Sequence, residues 1–587
     1  MSALTASVDD LRTNDRQWQA FTTQGHCVVL APPGSGKTKL LATRVAYDLV
    51  NKIPEPQGAA CVTLTTAATQ ELRNRIASLG VHDQETMFVG TVHSFALTRI
   101  VIPFAAVVGR PELAQVSIAN RAQERAAFNA ALNTVFPRGT DSRYVQSTIE
   151  INRKRFASDE DWARHSDQVR EAARRYSDNL HELGLIDFIE LIEIAVDFVE
   201  HHPLIRRVLN ARYPHLYVDE YQDLAPGLDR LVKALCFDYI AGSELFAVGD
   251  PDQAILAFTG TRPELLLELS QRSDVTPVHL EKNYRCGQEI IRVASFMKQG
   301  KSTVTGDRDG GHVSATHCPE GFAAQCAHAA RRVHEVTQDG ASLHEIVIIC
   351  PTNEQCETTA NIFRQHGIPA FFRNTDHYRV TLATAFIEGC AAWATLGREL
   401  SNYRLGTLLQ QWRSVLGQRW ERESDVALTQ LLMDLAERET EPAPQLIEDL
   451  RHIGLTTALT RAPLIDDAIE VANMTRALST GALQRLSVRD LAERARKVGR
   501  VEITTMTSSK GLEFDVVFIL GMDQRRIPFF KSLKDPGAMM EDRRKFYVSI
   551  TRARNEVRLY YSGFVEWKNS TTHAGPSMFL TEIGVLR

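Results

Sequence analysis

The chain lacks paired cysteine motifs. Its nine cysteines are scattered with no CxxC spacing, which excludes a zinc ribbon and a disulfide framework and leaves them as small buried hydrophobes of a reducing compartment. No apolar run approaches the roughly 20 residues that span a bilayer, and the opening stretch MSALTASVDDLRTNDRQWQAF has no apolar signal core, so a cytoplasmic chain with no membrane partner is expected. Nor is there an excess of positive charge. With 67 Lys+Arg against 72 Asp+Glu the net charge is −5, which excludes a uniformly basic nucleic-acid coat but leaves room for a locally positive groove. Repeats and low-complexity tails are missing as well. What remains is an ordinary globular composition over 587 residues, too long for one core and expected to divide into about three or four domains.

The most informative stretch is Cys27-Val28-Val29-Leu30-Ala31-Pro32-Pro33-Gly34-Ser35-Gly36-Lys37-Thr38. A β-branched run reads as a buried strand, a Pro/Gly turn follows, and a helix opens at Lys39-Leu40-Leu41. That is the context in which a glycine-rich loop holds phosphate. Gly34 and Gly36 let the backbone wrap so that N–H groups around Ser35 and the helix N-terminus point at phosphate oxygens. Lys37 reaches the β- and γ-phosphates, and the Thr38 hydroxyl ligates Mg²⁺. The first position of the pattern is Ala31 rather than glycine. The chain is read as an NTP-binding protein. Upstream, Asn14 is placed as an N-cap, and Gln17 has the donor and acceptor to read an adenine edge, although a surface glutamine reads the same way.

Gly58–Thr65 reads as a second buried strand, followed by a helix through Glu71–Ile76. A third strand runs from Phe88 to Ser94. Parallel sheets bind ligands beyond their strand C-termini, so Thr65, Thr91 and His93 are candidates for nucleic-acid phosphate contacts, the alternative being strand-end capping. From Phe95 to Gly184 helix-compatible segments replace strands, with loops near Pro111 and Pro137, and Asp187–Ile192 returns to the first core. Leu216-Tyr217-Val218 then ends in Asp219-Glu220-Tyr221-Gln222-Asp223, where Asp219 can hold Mg²⁺ and Glu220 can polarise the attacking water. Leu245–Asp250 leads to Gln253, a candidate γ-phosphate sensor. Val278–Leu280 leads to Asn283-Tyr284-Arg285, in which Tyr284 offers a stacking face and Arg285 positive charge for a transferring phosphoryl group.

A second α/β core is read from Glu345–Cys350, a helix through Ala360–His366 and Ile368–Phe372. Asp376 to Val498 is helix-rich. Strands are expected at Val501–Met506, Thr507–Phe514, Val516–Leu520 and Val557–Tyr561, with a helix over Glu541–Arg554 that brings Arg543, Tyr547 and Arg554 near one face.

These blocks, in this order, resemble the UvrD/Rep-like superfamily 1A DNA helicases: Gln17, the APPGSGKT loop, TLTTAA at 63–68, GTVHS at 90–94, DEYQD at 219–223, GDPDQ at 249–253, NYR at 283–285, SSKGLEF at 508–514 and VSITRAR at 548–554. The resemblance spans nearly the whole chain. It implies an α/β architecture of two RecA-like P-loop motor domains, each with a helical insertion subdomain. Motor domain 1A would take residues 1–94 and 186–279 around insertion 1B at 95–185. Motor domain 2A would take 280–375 and 499–587 around a short insertion 2B at 376–498. ATP and Mg²⁺ would lie between the motors and single-stranded DNA across both. Gln17 and Tyr284 become adenine contacts, Lys37 and Thr38 phosphate and magnesium ligands, Lys39 the loop's following cation in place of the usual Arg, Asp219 the metal ligand, Glu220 the water activator, Gln253 the sensor, Arg285 and Arg552 the γ-phosphate arginines, and Glu513 the ribose-contacting acid. Thr505 and Thr507 join Thr65, Thr91 and His93 as backbone contacts to DNA.

The departures concern the DNA track. Leu64 stands where the family usually has Phe, Thr66 where it has Asn, Thr507 where it has His, and Ala254, Leu256, Phe258 and Thr259 where it has Ser, Tyr, Trp and Arg. Only Phe258 remains there to stack a base. The run Phe95–Phe104 and the compact layout also resemble the helicase-like subunit of Gabija anti-phage systems, which works beside a nuclease. Two functions follow as expectations. One is a 3′-to-5′ DNA helicase or translocase, as the motor of a defence complex. The alternative is a nucleotide-dependent DNA-end sensor or regulatory subunit of a nuclease complex, with little unwinding of its own.

Overall fold

The computed structural model describes residues 2–81, 86–119, 121–136, 142–237, 242–256, 260–298, 304–372, 377–401, 403–460, 465–481, 483–496, 498–567 and 569–586. The chain builds two six-stranded parallel sheets. The first contains β1 (His26–Leu30), β2 (Ala59–Thr63), β3 (Met87–Thr91), β4 (His215–Val218), β5 (Glu244–Gly249) and β6 (Val275–His279), in the order β3-β2-β4-β5-β1-β6. The second contains β7 (His312–His317), β8 (Ile346–Cys350), β9 (Ala370–Phe372), β10 (Val501–Thr505), β11 (Phe514–Ile519) and β12 (Ala553–Tyr561), in the order β7-β12-β11-β8-β10-β9. The α/β fold with two parallel sheets is the one expected from the sequence.

Strands such as β2 and β8 are buried along their whole length, as parallel strands covered on both faces must be. Their period of two divides the cores. Val28, Val62 and Ala247 pack on one face of the first sheet, and Val29, Cys61 and Val248 on the other. Val347, Val517 and Leu559 face one side of the second sheet, and Ile348, Phe518 and Tyr560 the other. All nine cysteines are buried and unpaired.

Each sheet is interrupted by helices with a core of their own. In the first half, helices Arg121–Val135, Ser142–Lys154 and Asp167–His181 enclose Phe128, Ile149 and Leu180. The chain enters and leaves this block side by side, through a short parallel pairing of Ser117–Ile118 with Leu185–Ile186. Arg153 fixes the junction: its Nη1 and Nη2 donate to the Asp187 carboxylate at 2.5 and 3.0 Å, and the same carboxylate accepts from Tyr176 at 2.9 Å and caps helix Phe188–His201. In the second half, helices from Leu382 to Ala495 surround Phe386, Trp412 and Leu432.

Several local expectations are corrected. Thr507–Phe514 is not a strand: residues after β10 turn, Gly511 takes φ +82°, and pairing resumes only at Phe514. The helix expected over Glu541–Arg554 runs from Pro536 to Ile550, so Arg554 lies in β12, where Ala553 pairs with Phe514. The third strand stops at Thr91 and a helical turn takes Val92–Phe95. The helix after the glycine loop begins at Lys37 instead of Lys39.

Candidate functional site

The sequence Gly34-Ser35-Gly36 is pinned from two sides. Gly34 and Gly36 adopt φ +70° and +81°, values open to glycine at no steric cost. A Cβ on Gly34 would lie 2.7 Å from both Arg285 Cβ and Asn283 Oδ1, and one on Gly36 would lie 2.8 Å from Gln17 Nε2. Gln17, buried on helix Asp15–Thr22 behind the Asn14 cap, donates from Nε2 to Ser35 O at 2.7 Å. Asn283 Nδ2 donates to Pro33 O at 2.7 Å, and Tyr284 N donates to Gly34 O at 2.8 Å. The Asn283 Oδ1 in turn accepts from the N–H groups of Arg285 and Cys286, each at 2.8 Å.

Beyond the loop, carboxylates converge at the ends of β4 and β5. Lys37 Nζ lies 2.6 Å from Glu220 Oε1 as an ion pair, while the Ser35 hydroxyl is buried without a partner. Glu220 itself has φ +53°, a left-handed conformation that non-glycine residues rarely take and that concentrates at functional positions. Burial, then the neighbouring Glu220 charge, pushes the Asp219 carboxyl up to about 7. Against its own burial, Glu220 is brought down to about 2 by Lys37 and then Lys510. Burial works against the Lys37 charge too, yet Glu220 and then Asp219 hold its ammonium above the usual lysine range. A buried carboxyl that resists ionising, beside a lysine ammonium and an unpartnered hydroxyl, suits a phosphate–cation pair. The residues present therefore fit a nucleotide phosphate on the loop and Mg²⁺ at Asp219 and Thr38, the latter in the first turn of its helix. Magnesium takes only one or two protein ligands in such sites, and among the described residues no group of three or more His, Cys, Asp or Glu converges on one point.

The second half reaches into the same cleft. Lys510 pairs with Asp223 and donates to Gln253 O at 3.0 Å, while Gln253 Nε2 donates to Asp250 Oδ2 at 2.9 Å. Arg285 Nε donates to Glu513 Oε2 at 2.7 Å, and Glu513 also accepts from Arg554. Arg552 is buried, with its Nε donating to Val548 O and its Nη1 to Leu512 O; burial and then Arg285 pull it down to about 10. Tyr284 is half-exposed, its hydroxyl accepting from Asn14 Nδ2 at 2.7 Å. Lys39 is turned to Asp10 on the first helix. Asn283 and Lys510 were not singled out from the sequence. Both sit inside matched blocks, and an amide or ammonium there gives no signal until its partners from elsewhere in the chain are known.

Of the nucleic-acid candidates, Thr65, Thr91 and His93 occupy another part of the first sheet's rim, on the β3-β2 side of β4. Thr65 caps helix Thr66–Ser78, and Thr91 caps the turn Val92–Phe95, so capping and rim position coincide. His93 stands edge-on to Phe188, ring centroids 5.1 Å apart, and burial brings it down to about 4. Thr505 ends β10, with its hydroxyl bonded to Ser508, and Thr507 lies in the turn that follows. Phe258 and Thr259 lie outside the described residues. Leu64 and Leu256 are partly buried against the first and second cores respectively.

Residues 13–274 match the UvrD/REP helicase N-terminal domain and residues 413–563 the UvrD-like helicase C-terminal domain. Among similar proteins, DNA helicase II of Haemophilus influenzae is 25% identical over 97% of this chain and 86% of its own length. DNA helicase II of Escherichia coli is 26% identical over 97% and 87%. The ATP-dependent DNA helicase PcrA of Bacillus subtilis is 23% identical over 96% and 84%. Carrying both domains, on two parallel sheets, the chain belongs to the UvrD-like helicases of superfamily 1A.

Proposed function

We propose that the protein is an ATP-driven motor that hydrolyses ATP on single-stranded DNA and moves 3′ to 5′. The observation that carries this reading is the Lys37 ammonium at the glycine loop, paired with Glu220 at 2.6 Å, in a cleft that Lys510 enters from the other half of the chain. A γ-phosphate at Lys37 would have Glu220 beside it to polarise water and Gln253 to sense it. Mg²⁺ held by Thr38 and Asp219 would neutralise phosphate charge. Gln17 and Tyr284 would flank the adenine and Glu513 the ribose. Thr65, Thr91, His93, Phe258, Thr505 and Thr507 would line the DNA track. We place the motor domains at 1–94 with 186–279 and at 280–375 with 499–587, around helical insertions 95–185 and 376–498. The relatives' names as ATP-dependent or DNA helicases support the reading. The test is ATP turnover with and without single-stranded DNA, beside strand displacement on duplexes with 3′ or 5′ tails. Turnover that DNA does not stimulate, or displacement only from 5′ tails, would count against it.

Leu64 and Leu256 favour a second reading. With both tucked against apolar cores, the protein would hold DNA as a nucleotide-dependent end sensor or as the helicase-like subunit of a Gabija-type defence complex, in the cytoplasm beside a nuclease. Unwinding that starts only when a nuclease subunit is added supports this second reading.

A further inference from the structure

Arg44 is a buried cation for which the phosphate chemistry above has no use. It lies on helix Lys37–Asn51, two turns beyond Lys37 and about 10 Å from it along the helix axis. Its Nη1 donates to Phe21 O at 2.5 Å and to Thr23 O at 2.9 Å, carbonyls at the end of helix Asp15–Thr22. Its Nε donates to Asp48 at 2.5 Å, one turn further along its own helix, and its Nη2 lies 3.6 Å from Glu244 of β5. Asp48 is fully buried as well. It accepts from the Tyr217 hydroxyl of β4 at 2.7 Å and pairs with Lys52 at 3.0 Å. Burial works against the guanidinium charge, but Asp48 holds it above the usual arginine range.

Helix Asp15–Thr22 has eight residues, too few to keep its place without tertiary support, and its last carbonyls have no partners within the helix. A cation there satisfies them and suits the helix dipole. The ring of Phe21 meets Tyr47 of helix Lys37–Asn51 edge-on at 5.2 Å. Apolar contact of this kind draws the helices together without direction; the planar fork of Arg44 supplies the direction. One turn back from Phe21 the same helix carries Gln17, whose Nε2 donates to Ser35 O. That amide has a second N–H on Nε2 and an acceptor at Oε1. It can pair with N7 and N6 of adenine, but on guanine it meets two acceptors, N7 and O6. Such a choice requires the amide to be held to within about 0.5 Å.

We propose that Arg44 is a positioning residue for nucleobase selection: it locks the helix that carries Gln17 to the helix that begins with Lys37, so that base and triphosphate are read at a fixed spacing. The inference rests on the adenine contact assigned to Gln17 above. One helix then serves both ends of the nucleotide, with Lys37 at the phosphates and Arg44 behind the base-reading helix.

The test compares kcat/KM for ATP and for GTP, with single-stranded DNA present, in the full chain and its variants. Gln17→Ala should lower the ATP-to-GTP ratio about fivefold to 100-fold. Arg44→Met should lower it over the same range, through a higher KM for ATP instead of a lower kcat, and leave inhibition by inorganic tripolyphosphate at the parent level. Adding Gln17→Ala to Arg44→Met should lower the ratio no further, because residues that act through one another are not additive. Arg44→Lys keeps the charge but cannot serve Asp48 and two carbonyls together. Its ratio should lie between those of the parent and Arg44→Met, and it decides the matter should Arg44→Met not fold. A parent-like ratio in these variants, with only the melting temperature lowered, would make Arg44 a purely structural residue and overturn the proposal alone. Effects that multiply in the double variant would do the same. A ratio that Gln17→Ala leaves unchanged would overturn the adenine contact and the proposal with it, and a parent without turnover would overturn the motor reading as well.

Discussion

Arg285 Nε donates to Glu513 Oε2 at 2.7 Å, so an arginine read as serving the γ-phosphate and an acid read as serving the ribose engage each other. The Arg285 backbone meanwhile abuts the phosphate loop through the close approach to Gly34. Only the guanidinium needs to swing from Glu513 to address a nucleotide. Arg285→Ala is expected to slow ATP hydrolysis about 10³-fold or more, because such an arginine acts on transition-state charge, while nucleotide affinity falls less than tenfold. Arg552→Ala should slow hydrolysis comparably and also lower the melting temperature, since its buried guanidinium satisfies the Val548 and Leu512 carbonyls. Single-turnover kinetics beside nucleotide titration separates the two effects, and parent-like hydrolysis in either variant would remove that residue from the site.

Lys37→Ala should abolish turnover and weaken nucleotide binding, as it removes the buried ammonium at the loop. Glu220→Gln should retain nucleotide binding and lose turnover by about 10²–10⁴-fold, the range of a positioned general base. Equilibrium binding of a fluorescent ATP analogue and steady-state phosphate release check the pair.

Asn283→Ala removes the bond to Pro33 O and leaves the N–H groups of Arg285 and Cys286 without their acceptor. Each buried group left unsatisfied costs about 1–3 kcal/mol, so a loss of about 3 kcal/mol in denaturant unfolding is expected, together with weaker nucleotide binding. Asn283→Asp keeps the acceptor, loses only the donor to Pro33, and should fall between the two.

His93 sets a pH dependence. Its folded value of about 4 lies below its ordinary 6.5, so between these values the unfolded chain binds the additional proton and stability declines as the pH falls. The whole contribution is present above pH 6.5. It amounts to about 3 kcal/mol as an upper bound, because the ring is only partly buried. Unfolding free energies of the parent and of His93→Gln, compared from pH 7.5 to 4.5, should converge as the medium is acidified. A constant difference would assign the acid sensitivity elsewhere.

Much of this site was legible because local chemistry dictates it. A β-branched strand, two glycines and a lysine give the phosphate loop, and Asn14 caps the helix that carries Gln17. The misread segments are those in which tertiary pairing decides. Thr507–Phe514 has the composition of a strand, yet no neighbour pairs with it until Phe514 meets Ala553. The same pairing ends the preceding helix at Ile550 and moves Arg554 from a helix face to the start of β12, beside Glu513, Glu345 and Asp515. Nothing in a linear pattern brings Asn283 to Pro33 or Lys510 to Asp223, because each pair joins segments more than two hundred residues apart.

The burial of all nine thiols also makes the native chain nearly silent toward maleimide dyes, which need an accessible thiolate. A pair of cysteines introduced at exposed, chemically idle positions, Val50 in the first half and Val426 in the second helical block, would carry a donor and an acceptor fluorophore with little background. The separation of the two halves during a nucleotide cycle could then be followed by energy transfer in single molecules, without first stripping the native cysteines from the fold.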